Sequence, residues 1–161
     1  MKPDLWPHLK PLSRHILVDV IKAAASWKAG AAHMKIRKAS MLCLNTSLKA
    51  WIYTHEDFSN NWEEVFAPIK SCLDEDWDEE VRFRTCDVFE ALLINYGDKL
   101  EFQYQDIYKE MISRLDDSKD YIRMEICKSF EVLFKLYIEK GHSSNFEYMM
   151  DVLFVHLDDN N

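Results

Sequence analysis

Apolar positions recur along this chain at helical spacing, in stretches separated by short polar or acidic turns. Ser13 is a suitable helix cap, and Ile16, Leu17, Val20, Ile21 and Ala24 behind it share one face. They predict a first helix over about 13–26. Trp27-Lys28-Ala29-Gly30 breaks the pattern, with Gly30 suited to a C-terminal cap or hinge. Ile36, Met41, Leu44, Leu48 and Trp51 predict an inward stripe on a second helix over about 31–53, followed by a polar loop at 54–60. Trp62, Val65, Phe66, Ile69 and Leu73 predict a third over about 61–73, kinked at Pro68. Further helices are expected over about 78–96, 103–115 and 119–140, and from Ser143 or Ser144 to Leu157. Gly97 and Gly141 end two of them. Residues 1–11, broken by Pro3, Pro7 and Pro11, read as an extended lead-in or one short turn, with Trp6 and Leu9 able to dock on the helices.

The acidic turns repeat. Leu73-Asp74-Glu75, Leu115-Asp116-Asp117 and Leu157-Asp158-Asp159 lie 42 residues apart. A β-branched residue followed by arginine also recurs, as Val81-Arg82, Ile122-Arg123 and, more loosely aligned, Ile36-Arg37. Behind Val81 stand Cys86, Phe89, Leu92 and Leu93; behind Ile122, at the same offsets, stand Cys127, Phe130, Leu133 and Phe134. These offsets mark one helical face. A repeat of this length points to a HEAT or armadillo type of array, in which stability comes from stacking one unit on the next. The expected fold is all-α: an α-solenoid of HEAT repeats with about three helix pairs plus an unpaired C-terminal helix. It forms one domain over 1–161 and reads as a C-terminal fragment of a longer solenoid. A helix left without its mate predicts self-association through that end.

Composition narrows the function. With 3 glycines and 4 prolines in 161 residues, three of the prolines in the first eleven, breakers are scarce after Leu12. The formal net charge of −8 argues against nucleic acid, which demands a basic stripe. There is no apolar run long enough to span a membrane and no secretory leader. Cys43, Cys72, Cys86 and Cys127 have no CxxC spacing and read as four reduced, buried thiols of a cytosolic protein. The six histidines are scattered, without zinc-ligand spacing. The chain also lacks a glycine-rich phosphate loop, a nucleophile elbow and an apolar pocket to separate the pKa values of paired carboxylates. No cofactor, no metal and no enzymatic activity are expected.

What remains is a protein-binding surface. Arg37, Arg82 and Arg123 occupy one repeated position; they could form a ladder by bonding the acidic turns of their own or adjoining units, or one of them could grip an acidic partner. The acids at 74–80, 116–117 and 158–159 form either a solvated, helix-capping edge or a docking edge for a basic partner. Trp77, within that acid, is a hot-spot candidate or folds back over the helices. Trp27, Trp51 and Trp62 read as packing fillers. The partner-binding candidates are Trp77, Asp76, Asp78, Glu79, Arg84, Asp116 and Asp117, and a basic face could use Lys35, Lys38 or Arg84.

Three segments carry a closer resemblance: Trp27-Lys28-Ala29-Gly30, the stretch RLDDSKDYIRM from Arg114 to Met124, and Val155-His156-Leu157-Asp158-Asp159. From about residue 27 to the end, the chain resembles the C-terminal HEAT repeats of the HEAT-repeat dynein axonemal assembly factors. The resemblance implies a cytoplasmic, non-enzymatic scaffold in ciliated or flagellated cells. It would take part in preassembling axonemal dynein arms for motile cilia, with dynein chains or chaperones as partners. Other HEAT scaffolds, of the transport-receptor or phosphatase-regulatory kind, share the fold and bind different clients.

Overall fold

The computed structural model describes residues 6–141 and 143–158, with the backbone alone for 6, 143–145, 157 and 158. Every regular element among them is helical. The prolines of the lead-in do not prevent helix. Pro7 lies in the first turn of α1 (Trp6–Leu9), where its missing N–H is not needed, and Pro11 lies near the start of the 3₁₀ turn Lys10–Leu12. The chain is therefore already helical at Ser13, which caps nothing. It runs through α2 (Ser13–His15), a π-helical stretch Ile16–Lys22 and α3 (Ala23–Ala25). A π turn holds more residues than an α turn, so the buried face shifts. Leu17, Val18, Ile21 and Ala25 are buried, while Val20, expected inward, is exposed.

Two rows of helices follow. One row is α4 (Ala31–Lys49), α7 (Glu79–Tyr96) and α9 (Asp120–Glu139), each packed along the next. The other begins with the π segment and continues through α6 (Trp62–Leu73), α8 (Tyr104–Ile112) and α10 (Ser143–Asp158). α6 packs on α7, and both α8 and α10 pack on α9. Bonds also run along this second row: Lys22 pairs with Glu64, Lys70 with Glu110 at 2.6 Å, and the Tyr108 hydroxyl donates to the Met149 carbonyl at 3.1 Å. The core lies between the rows. There Phe66 of α6 meets Phe89 of α7 with ring centroids 6.0 Å apart, and Tyr108 of α8 meets Phe130 of α9 at the same distance. These are corresponding contacts 42 and 41 residues along the chain.

Residues 54–60 are not loop throughout. Thr54 and Asp57 form a reciprocal capping box that starts α5 (His55–Ser59), a short helix burying Phe58. Gly30 is not a helix C-cap; at φ 111° it is the N-cap of α4, in a conformation open only to glycine. Gly141, at φ 76°, does follow the end of α9. Ile36 is exposed while Arg37 beside it is fully buried, so the face of α4 is turned relative to α7 and α9, whose Val81 and Ile122 are buried. Of the cysteines only Cys72 and Cys86 are buried; Cys43 and Cys127 are exposed, so Cys127 does not share the packing environment of Cys86.

Trp51, expected inward, is 54% exposed and sits at φ 55°. It occupies the left-handed position that ends α4. Its N–H donates to the Leu48 carbonyl and the Ile52 N–H to the Ser47 carbonyl, a Schellman pattern that favours glycine at that point. The indole gains contact with Tyr96, ring centroids 5.6 Å apart. Both Trp51→Gly and Trp51→Ala lose that contact, but only glycine escapes the left-handed strain. Trp51→Gly is expected to be the more stable of the two by about 1 kcal/mol in thermal denaturation, the reverse of their order within a helix.

Candidate functional site

Two arginines of the first row, Arg37 and Arg82, reach forward to turn carboxylates. Arg37 of α4 is fully buried, and its Nη1 lies 2.8 Å from Oε2 of Glu75, also buried. The two atoms are close but out of line for a formed hydrogen bond, so the contact is chiefly coulombic. The rest of the guanidinium donates to Ser71 Oγ at 3.1 Å and Cys72 Sγ at 3.3 Å. Burial pushes the Cys72 thiol up, and the nearby Arg37 only offsets part of this. One turn further on, Arg82 of α7 grips Asp117 through Nε at 2.7 Å and Nη2 at 3.1 Å, and its Nη1 donates to the Glu75 carbonyl at 2.7 Å. Arg123 of α9 then donates to the Asp117 carbonyl at 2.6 Å and to Asp120 at 2.7 Å. Glu75 and Asp117 are the third residues of their respective acidic triads.

This placement removes Asp117 from the candidate partner-binding residues. It is buried and committed to Arg82, so no partner reaches its carboxylate. Burial alone would raise its pKa. The hydrogen bonds from Arg82 and the Lys119 N–H, with the charges of Arg82 and Arg114, outweigh burial and hold it below the usual carboxylate value. Folded Asp117 therefore binds protons less readily than unfolded Asp117. Its contribution to stability is complete above its unfolded pKa, near 4, and is lost as pH falls through the lower folded value. Asp117→Asn is expected to cost about 2 kcal/mol at neutral pH, with the gap to wild type closing in strong acid; urea titrations at several pH values check this.

The other candidates are distributed along the same edge. Asp78 caps α7, accepting from the Glu80 N–H at 2.9 Å. Glu79 pairs with Lys119 at 2.9 Å, and Asp116 meets His156 of α10 at 3.0 Å. Asp76 is exposed between Trp77 and the Asp116 turn. Arg84 does not join them: it is tied to Glu80 and Asp87 on its own helix.

Trp77 does not fold back over the helices; it is 85% exposed. Trp27, expected to be a packing filler, is 57% exposed and shares a groove of about 610 Å³ with it. Gly30 and Met34 line the groove, with Lys35, Lys38 and Asp78. A second hollow of about 320 Å³ adjoins it, bounded by the same two tryptophans, Lys70, Asp74 and Asp76. Sequence spacing cannot separate an exposed tryptophan from a packed one, so Trp27 was not legible as part of the edge. The lysines at 35 and 38 were legible only as part of a basic face, not as neighbours of this edge.

The chain has relatives among curated proteins. It is 25% identical over 149 residues to dynein axonemal assembly factor 5 of Mus musculus, covering 89% of this chain and 17% of that protein. It is 26% identical to the Xenopus laevis protein of that name over 152 residues (91% of this chain, 18% of the other). It is 26% identical to the Homo sapiens protein over 148 residues (88% and 17%). The chain thus spans about a sixth of the length of these relatives. The stretch from Trp27 onward is too short to supply the matched share, so the likeness reaches into the first 26 residues, which carried no resemblance when read alone. No family profile matches the chain, and no solved structure matches it.

Proposed function

We propose that this chain is a HEAT-repeat α-solenoid that binds proteins, without enzymatic activity, and serves the cytoplasmic assembly of axonemal dynein. The observation that supports this most is the likeness to dynein axonemal assembly factor 5 of three species over about nine-tenths of the chain. The fold is consistent with it. α6 with α7 and α8 with α9 would be successive units, and the first helical segment with α4 the unit before them. Of the repeated arginines Arg37, Arg82 and Arg123, the first two, each paired with the following turn, would set the stacking angle between units, while Arg123 holds its own turn. The edge carrying Trp27, Trp77, Asp76, Asp78, Glu79 and Asp116 would be the face offered to dynein chains or chaperones. Among the described residues, no helix is long and apolar enough to cross a membrane.

The test is removal of the protein from ciliated or flagellated cells that express it. Axonemes are expected to lack dynein arms in electron micrographs, with arm subunits retained in the cell body. Full arms and normal beating after complete removal would contradict the proposal.

A further inference from the structure

Just over half of the lysines and arginines among the described residues face a carboxylate. Lys22, Lys70, Lys119, Lys128 and Lys135, with the arginines of the turns, all have carboxylate partners. Lys10, Arg14, Lys28, Lys35, Lys38, Lys49, Lys109 and Lys140 have none among the described residues, and of these Lys35 and Lys38 line the groove shared by Trp27 and Trp77. They stand one turn apart on α4, at a spacing that places both on one side of the helix. The apolar lining between them and the indoles includes Met34, a side chain that adapts to irregular partners. The groove therefore combines two free positive charges, two large exposed aromatics and a flexible apolar wall.

We propose that this groove binds an acidic segment of a partner protein, one in which a large apolar side chain lies beside carboxylates. The apolar side chain seats between Trp27 and Trp77, and the carboxylates meet Lys35 and Lys38. Buried aromatic anchors supply most of the affinity at such contacts, and charge complementarity selects the partner. A peptide segment can set its carboxylates against Lys35 and Lys38 and clear of Asp74, Asp76 and Asp78, whereas a continuous anionic membrane surface would face those acids as well. This inference rests on the reading of the chain as a protein-binding scaffold but not on dynein being the client. It reverses the expectation of a basic partner for the part of the edge that Lys35 and Lys38 command.

The experiment is fluorescence anisotropy with the full chain and three labelled peptides. Each carries one central phenylalanine, flanked by glutamates, by lysines or by serines. The glutamate peptide is expected to bind best, with affinity falling as salt rises. Trp27→Ala with Trp77→Ala should weaken it at least about tenfold. Lys35→Glu with Lys38→Glu should invert the preference in favour of the lysine peptide. All four side chains are off the core, and circular dichroism melts confirm that the variants fold. Equal binding of the three peptides, or an unchanged preference after charge reversal, would overturn the proposal. So would anionic vesicles competing the peptide away, or a wild-type dimer in sedimentation that the tryptophan variant dissolves. The last result would assign the groove to a second copy of the chain. Loss of the dynein reading in cells would leave the peptide result standing, and failure of the peptide test would leave the dynein reading standing.

Discussion

Glu75→Ala is expected to destabilise the protein by about 3–5 kcal/mol, enough to unfold a domain of ordinary stability at moderate denaturant. The reason is the partner it abandons. Arg37 is fully buried, and without Glu75 its charge is left with a hydroxyl and a thiol as neighbours. The Glu75 side chain also accepts from the Trp77 N–H at 3.1 Å, so its loss frees the turn that presents the exposed indole. Arg37→Met should cost a similar amount, because it strands the Glu75 carboxylate. The double variant Arg37→Met with Glu75→Ala should cost far less than the two single changes together, since no buried charge remains unpaired. Denaturant midpoints of the four proteins of this cycle measure the coupling. A Glu75→Ala protein as stable as wild type would mean that Arg37 is not held as described.

Phe89→Ala is expected to cost about 3–5 kcal/mol through lost burial and the cavity left behind. Phe89 is fully buried on α7, the helix that packs against α4, α6 and α9 together, so no single neighbour can close over the space. Phe130→Ala, at the corresponding position of α9, should fall in the same range. It loses edge-on contact with Tyr108 and a tilted contact with Phe134 at 5.7 Å. Phe102→Ala is the control: that ring is 94% exposed and its removal should change stability little. Equilibrium unfolding by urea compares the three.

The repeat and its inward phenylalanines were legible in the sequence because a period of about 42 residues fixes both the turn and the face that follows it. Phe89 and Phe130 could be paired from spacing alone. The buried carboxylates could not. Glu75 lies in a run of seven residues with six acids, and nothing local separates it from exposed Asp74 and Asp76. Its burial depends on Arg37, which lies 38 residues earlier and is brought across the turn only by stacking. The same limit applies to the tryptophans. Trp62, buried, and Trp27, exposed, look alike in a pattern of apolar positions, because exposure depends on which helix faces have neighbours. The π-helical stretch shifted the inward face of the first segment for a related reason. A period of 3.6 does not hold where the chain takes a wider turn.

The proposed binding of dynein-assembly proteins through the edge that carries Trp27 and Trp77 has a direct test. The most direct measurement is affinity capture from the cytosol of ciliating cells with the wild-type protein and the Trp27→Ala, Trp77→Ala double variant. Bound proteins are quantified by mass spectrometry. Dynein heavy or intermediate chains, with chaperones, should be enriched on the wild type and depleted on the variant. Capture of transport GTPases or phosphatase subunits without dynein, or dynein retained equally by both proteins, would contradict it.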